Sequence, residues 1–290
     1  MLIRKPAVAG QFYPGGRQDC INEIEEYLSA ANITTPLPET IVSAIVPHAG
    51  WVFSGDLACK AFAAIKKQNK EVNTFVIFGT PHSYFSDLPA VYNFGKWITP
   101  LGEIDIDDDL AEEVIKTGIA LSNTSVHRNE HSIEVQVPII QHLFPTAKIL
   151  PILMPPTVQS IEMAEELGDI LQRLNKKVVC IGSTDLTHYG PRYGFEPVGA
   201  GIEAIQWSSK VNDKKFIDAA LKMVSRDLLL TTAEHCNACG PGAAAAAVSV
   251  ATILGRQHGV VLAQSNSYEV MVKKMGTTSD DCVGYVSIVY

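Results

Sequence analysis

No run of lysine and arginine longer than a pair occurs in this 290-residue chain, and its 31 acidic residues outnumber 23 basic ones to give a net charge of −8. The basic stripe that follows a phosphate backbone is therefore missing, and nucleic-acid binding is excluded. Long apolar segments are missing too. The longest largely apolar stretch, Ala243 to Leu254, falls short of the ~20 residues that cross a bilayer. The opening Met1-Leu2-Ile3-Arg4-Lys5-Pro6 lacks the apolar core of a secretion signal. Cysteine is scarce and scattered, at 20, 59, 180, 236, 239 and 282, which speaks against the disulfide framework of a small secreted domain. These absences predict a cytoplasmic, non-membrane protein. Also missing are the Gly-X-Ser-X-Gly elbow of serine hydrolases and the glycine signatures of phosphate-loop and dinucleotide folds.

What remains is an ordinary globular composition, 47% hydrophobic and 19% charged, enough for one core throughout residues 1–290. Three apolar runs organise it: Ile41 to Val46 ending in Pro47-His48, Thr74 to Phe78 ending in Gly79-Thr80-Pro81-His82, and Val178 to Ile181 leading through Gly182-Ser183-Thr184 to Asp185-Leu186-Thr187-His188. Between the first two, Leu57, Ala61, Phe62 and Ile65 recur at helical spacing, so the segment predicts a βαβ unit. Further helices are predicted over 107–116, 131–144 and 158–174, with Pro138 disfavouring a strand in the second. Strands are predicted over 148–154, 177–182, 259–263 and 283–290. Pro241-Gly242 opens an alanine-rich helix. The expected fold is α/β, a mostly parallel central sheet flanked by helices.

Ligands of open α/β sheets gather outside the carboxyl ends of strands, where His48, His82, Asp185 and His188 all fall. Imidazole is the commonest metal ligand, so His48 and His82 are candidate ligands, against the alternative that each is hydrogen-bonded structure. Asp185 and His188 share a face if their segment is a helical turn, the carboxylate orienting the imidazole for proton transfer; Asp185 as a helix cap is the alternative. His131 and Glu134 likewise share a face, with Glu134 orienting His131 as a cleft acid or anion contact. Cys236 and Cys239 precede a helix N-terminus, which favours a thiolate as ligand or nucleophile; a redox pair and plain packing stay open, while a zinc knuckle lacks its second pair. Cys59 and Cys180 read as core, and His142 and His258 as structural or exposed.

Several segments, in order, resemble the MEMO family, named for mediator of ErbB2-driven cell motility, whose bacterial and archaeal members are called AmmeMemoRadiSam system protein B. They are Arg4-Lys5-Pro6-Ala7-Val8-Ala9-Gly10 with Phe12-Tyr13-Pro14, Pro47-His48-Ala49-Gly50, Gly79-Thr80-Pro81-His82, Glu130-His131-Ser132-Ile133-Glu134, Ser183 to Gly190, and Asn237-Ala238-Cys239-Gly240. The resemblance implies a fold similar to class III extradiol (LigB-like) dioxygenases. It also implies a metal triad of His48, His82 and Cys239, with His188 as base and Asp185 beside it. Ligand contacts are expected from Phe12, Tyr13, Trp51, Phe53 and Glu134. Because Cys239 stands where oxygen-activating triads carry a carboxylate, iron or copper is expected, with zinc as an alternative. The implied function is a non-haem metal-dependent redox or dioxygenase-like reaction on a small molecule. The alternatives are a peptide- or phosphopeptide-binding module using the same cleft and a zinc-dependent hydrolase. A radical-SAM partner is implied by the family name alone.

Overall fold

The structure is a computed structural model and describes residues 2–174 and 176–290. Met1, the first residue of the amino-terminal stretch read above, lies outside the described residues. The chain runs β1 (Ile3–Arg4), α1 (Arg17–Ala30), β2 (Ser43–Val46), α2 (Trp51–Gln68), β3 (Thr74–Gly79), β4 (Ala90–Val91), β5 (Lys96–Thr99), β6 (Gly102–Asp105) and α3 (Asp108–Lys116). It continues through β7 (Leu121–Ser122), α4 (Val137–Leu143), β8 (Lys148–Leu153), α5 (Val158–Leu174), β9 (Val178–Ser183), β10 (His188–Tyr189), α6 (Ile202–Trp207), α7 (Asp213–Lys222) and α8 (Ser225–His235). It closes with α9 (Pro241–Ile253), β11 (Val260–Asn266), α10 (Ser267–Val270) and β12 (Cys282–Val289).

Among the described residues, nine strands form the main sheet in the order β10-β12-β2-β9-β3-β8-β4-β7, with β11 on β12. The middle of the sheet is parallel: β2 pairs β9, β9 pairs β3 and β3 pairs β8. Their interiors are apolar because helices cover both faces, and the polar residues Ser43, Thr74, Lys148 and Ser183 stand only at strand ends. The flanks are antiparallel, β12 on β2 and β4 on β8, so the sheet is mixed around the expected parallel centre. Antiparallel edges arise because β12 returns late in the chain and β4 comes from a short connection, neither needing a crossover helix.

One core lies between the sheet and the helices α3, α5, α7 and α9; the other lies under α1, α2 and α4. The alanine run Ala243–Ala247 is fully buried, since only small side chains let α9 approach the sheet so closely. Asp107 caps α3, its side chain accepting from the Leu110 N–H. The ambiguous 131–144 segment resolves as a single 3-10 turn over Glu134–Gln136 followed by α4, with Pro138 in the first turn, where its missing N–H has no partner to lose. The residues from 185 to 188 are not a helical turn. His188 instead starts β10, paired antiparallel to β12 through Val283, and Leu186 bridges Ala238.

Candidate metal centre

The parallel strands deliver the site. Val46 ends β2 and Pro47 turns His48 outward, Gly79 ends β3 two residues before Pro81-His82, and Ser183 ends β9 just ahead of Asp185. A fourth piece, the loop carrying Glu130 and His131, is pressed onto β3. A Cβ on Gly79 would lie 2.4 Å from Ile133 Cγ1, so only glycine permits that contact. Gly240 serves the fifth piece in the same way: a Cβ there would lie 2.1 Å from Thr80 Oγ1 and 2.8 Å from the Ser183 carbonyl. This closeness brings Cys239 to the strand ends.

One nitrogen from each of His48, His82 and His131 lies within 4.8 Å of the others. The His82 and His131 rings stack at 4.5 Å, and His48 meets both edge-on at 5.3 and 5.4 Å. Cys239 Sγ lies 3.2 Å from His48 Nε2. The tautomers follow from the neighbours. Ser183 Oγ donates to the Ser132 carbonyl at 2.6 Å, so it accepts the proton of His48 Nδ1 at 3.2 Å and leaves His48 Nε2 as a lone pair. Gln136 locks this corner by donating to the Pro47 carbonyl at 2.7 Å. His82 Nδ1 donates to the Glu130 carboxylate at 2.9 Å, which likewise frees Nε2. Glu130 is itself fixed by the backbone N–H groups of His82 and Ser132.

Burial keeps two of these imidazoles, His48 and His131, neutral against the opposing pull of the Glu130 carboxylate. Burial holds His48 down to about 3, aided by His82 and His188, and holds His131 down to about 4, aided by His48 and His82. Burial alone would push the Glu130 carboxyl up, but its hydrogen bonds from His82 and Ser132 bring it down to about 2. Burial and the neighbouring Asp185 push the Cys239 thiol up to about 12. Neutral imidazoles with their outer nitrogens satisfied are the form that binds a cation, and a positive ion would lower the thiol in turn. The donor set therefore fits a metal ion.

The cluster opens into a cavity of ≈ 550 Å³ lined by Phe12, Phe53, His188, Arg192, Tyr193 and Tyr285, among others. Two expected contacts, Phe12 and Phe53, are present there, and Phe12 packs on His131 at 4.8 Å. Three others are placed elsewhere and need correction. Tyr13, Trp51 and Glu134 are 3%, 2% and 1% exposed and do not line the cavity. Trp51 Nε1 donates to the Val135 carbonyl. Glu134 accepts from Arg4, from the Ala7 and Val8 N–H groups and from Tyr13. Glu134 thus ties the amino-terminal segment down, and it is Glu130 that stands beside His131, at 3.6 Å. His131 and Glu134 part because the helical segment begins only at Glu134, so His131 lies outside it and the i, i+3 rule of a continuous helix does not apply.

Asp185 also departs from its expected role. Its carboxylate accepts from the His48 and Ala49 N–H groups at 2.8 and 3.2 Å, neither orienting His188 nor capping a helix. His188 Nδ1 instead donates to the Leu186 carbonyl at 3.0 Å, leaving Nε2 as its basic nitrogen. Cys236 is exposed in a left-handed cap at the end of α8, while Cys239 turns into the site. Cys59 and Cys180 are in the core, as read from sequence. Sequence reasoning missed His131 as a member of the imidazole cluster. The available signal was the polar run from His127 to Ser132, unusual for a segment leading into an apolar one.

An α/β sheet with imidazoles and a thiol converging at its strand ends defines a protein with a candidate metal centre. The chain belongs to the MEMO family. The family model described as Memo-like protein matches residues 4–289. A MEMO1 family protein of Thermococcus onnurineus is 36% identical over 298 residues, covering 100% of this chain and 99% of that one. Similar matches are MEMO1 family proteins of Thermococcus kodakarensis, 36% over 299 residues with 100% and 99% coverage, and of Pyrococcus abyssi, 34% over 302 residues with 99% of each. No helix among the described residues is long and apolar enough to cross a membrane.

Proposed function

We propose that this protein is a metal-dependent redox enzyme, dioxygenase-like, acting on a small molecule in the cavity above the imidazoles. The observation that carries the reading is the set of three imidazole nitrogens within 4.8 Å of one another. Two of those rings have their outer nitrogens bonded from behind by Ser183 and Glu130. His48 and His82 would hold the ion, with Cys239 and His131 completing the donor set; iron or copper suits the mixed imidazole and thiolate donors best, and zinc is the alternative. A redox-active ion there would supply electron transfer to or from a ligand.

The protein's own groups have separable tasks. Phe12 and Phe53 form an apolar wall that excludes water on one side. His188 Nε2, with its Nδ1–H committed to the Leu186 carbonyl, is positioned to take or return a proton at the cavity face. Asp185 holds the Pro47-His48-Ala49 turn through its two backbone bonds and so sets where His48 points. The six cysteines are free thiols, which supports a reducing, cytoplasmic setting for this chemistry.

The test is elemental analysis of protein purified without oxygen, repeated for His48→Ala, His82→Ala, His131→Ala and Cys239→Ala. Near-stoichiometric iron or copper in the parent, lost in His48→Ala and His82→Ala and reduced in the other two, is expected. Full metal content in both His48→Ala and Cys239→Ala would overturn the site, and tightly held zinc alone would overturn the redox reading.

A further inference from the structure

We propose that a second hollow, apart from the imidazole cluster, binds the phosphate group of a small phosphomonoester. This hollow of ≈ 450 Å³ lies between the amino-terminal segment and the loop that follows β7. No carboxylate lines it, in a chain whose net charge is −8. Besides Arg4 and Ser125, whose side chains donate to protein partners, five donor side chains line it: Lys5, Arg128, Tyr92, Thr124 and Asn129. None of the five makes a side-chain hydrogen bond or ion pair with another described residue. The Tyr92 ring is held in the core, 2% exposed, so the residue stands at a fixed place in the lining of the hollow.

The frame holding these donors is rigid. Ile3 and Arg4 pair with β5 in parallel, which fixes the backbone leading into Lys5. Arg4 then donates to the His127 carbonyl at 2.7 Å and to the Glu130 carbonyl at 2.8 Å, stapling the loop from which Arg128 and Asn129 project. The charge of Arg4 is neutralised by Glu134 at 2.7 Å, so the uncompensated cations are Lys5 and Arg128. Two cations with three neutral donors match the several oxygens of a phosphate dianion better than the two of a carboxylate. Leu2, Pro6 and Ala7 supply an apolar wall beside them. That wall predicts that an organic monoester binds more tightly than free phosphate.

The experiment is calorimetric titration of the full-length protein with phenyl phosphate and, separately, inorganic phosphate. It is run on the parent, on the double variant Lys5→Ala/Arg128→Ala, on Tyr92→Phe and on His82→Ala. Lys5 and Arg128 are exposed, so thermal midpoints of the double variant should match the parent. One equivalent of phenyl phosphate should bind, more tightly than inorganic phosphate, and the double variant should weaken it by about tenfold or more, the scale of one charge-assisted contact. Tyr92→Phe should weaken binding by a smaller factor, and His82→Ala should leave it unchanged. Absence of saturable binding, or binding lost in His82→Ala and kept in the double variant, would overturn the site. Equal affinity for the two probes would overturn the monoester assignment.

Discussion

Replacing Glu134 by glutamine separates a structural carboxylate from a ligand-binding one. In the folded chain Glu134 Oε2 takes hydrogen bonds from Arg4 Nη1 at 2.7 Å and the Ala7 N–H at 2.8 Å, while Oε1 takes them from the Val8 N–H at 2.9 Å and Tyr13 at 2.8 Å. Both partners of the ion pair are buried, with side-chain exposures of 3% and 1%. An amide keeps the size but sets an NH2 against donors whichever way it is turned, and it leaves the Arg4 guanidinium buried without a counter-charge. Breaking a buried pair from one side costs ~3–5 kcal/mol, and the neutral bonds that survive argue for about 3. With a urea m-value of about 3 kcal/mol/M for a chain of this size, the unfolding midpoint should fall by about 1 M. Arg4→Met should be destabilising as well, and the double variant should recover at least ~1.5 kcal/mol relative to the sum, because no orphaned charge remains. Metal content per folded molecule should be unchanged. Urea titrations of the four proteins, with elemental analysis alongside, decide the matter. A midpoint shift below about 0.3 M together with loss of metal would refute the structural role and return Glu134 to the cleft.

Three further outcomes follow from the same geometry. Glu130→Gln puts an amide NH2 against the N–H groups that the carboxylate now accepts, so Zn²⁺ affinity in competition with a chelating dye should drop ~10–100-fold while the fold persists; an unchanged affinity would remove Glu130 from the support of His82. Gly79→Ala, whose new methyl meets Ile133, should cost ~1–3 kcal/mol in urea and be partly rescued by Ile133→Ala, and a neutral result would show that the 130–134 loop is not held against β3. Burial holds His127 down to about 3, with its Nε2–H given to the Ala90 carbonyl. Since the unfolded imidazole titrates near 6.5, the unfolded chain takes up a proton that the folded one refuses. Stability is complete above pH 6.5 and declines on acidification, by ~3 kcal/mol from this residue at pH 4. His127→Gln, which keeps a donor for Ala90, should flatten that decline in urea midpoints measured from pH 7 to pH 4.

The strand runs before His48, His82 and Asp185 were legible in sequence because parallel strands covered on both faces have apolar interiors, and the turns ending them carry proline or glycine. The helices over 158–174 and from Pro241 onward were legible from periodicity and from proline at a first turn. Those local signals, with the sheet rule that ligands gather at carboxyl ends, determined the α/β class and the convergence of His48, His82 and Asp185. They could not determine direction. Whether Glu134 or Glu130 serves His131 depends on where the helical segment begins, and because it starts at Glu134 with His131 outside it, helical spacing misassigns the pair. Whether Asp185 serves His188 or the His48 turn depends on a backbone that becomes β10 only because β12, a century of residues later, lies beside it. The edge strands, the staple of Arg4 on the 127–130 loop and the arrival of His131 and Cys239 at the same point are long-range contacts. Such contacts leave no periodic trace in sequence, because their energy comes from groups brought together only once the whole chain has packed.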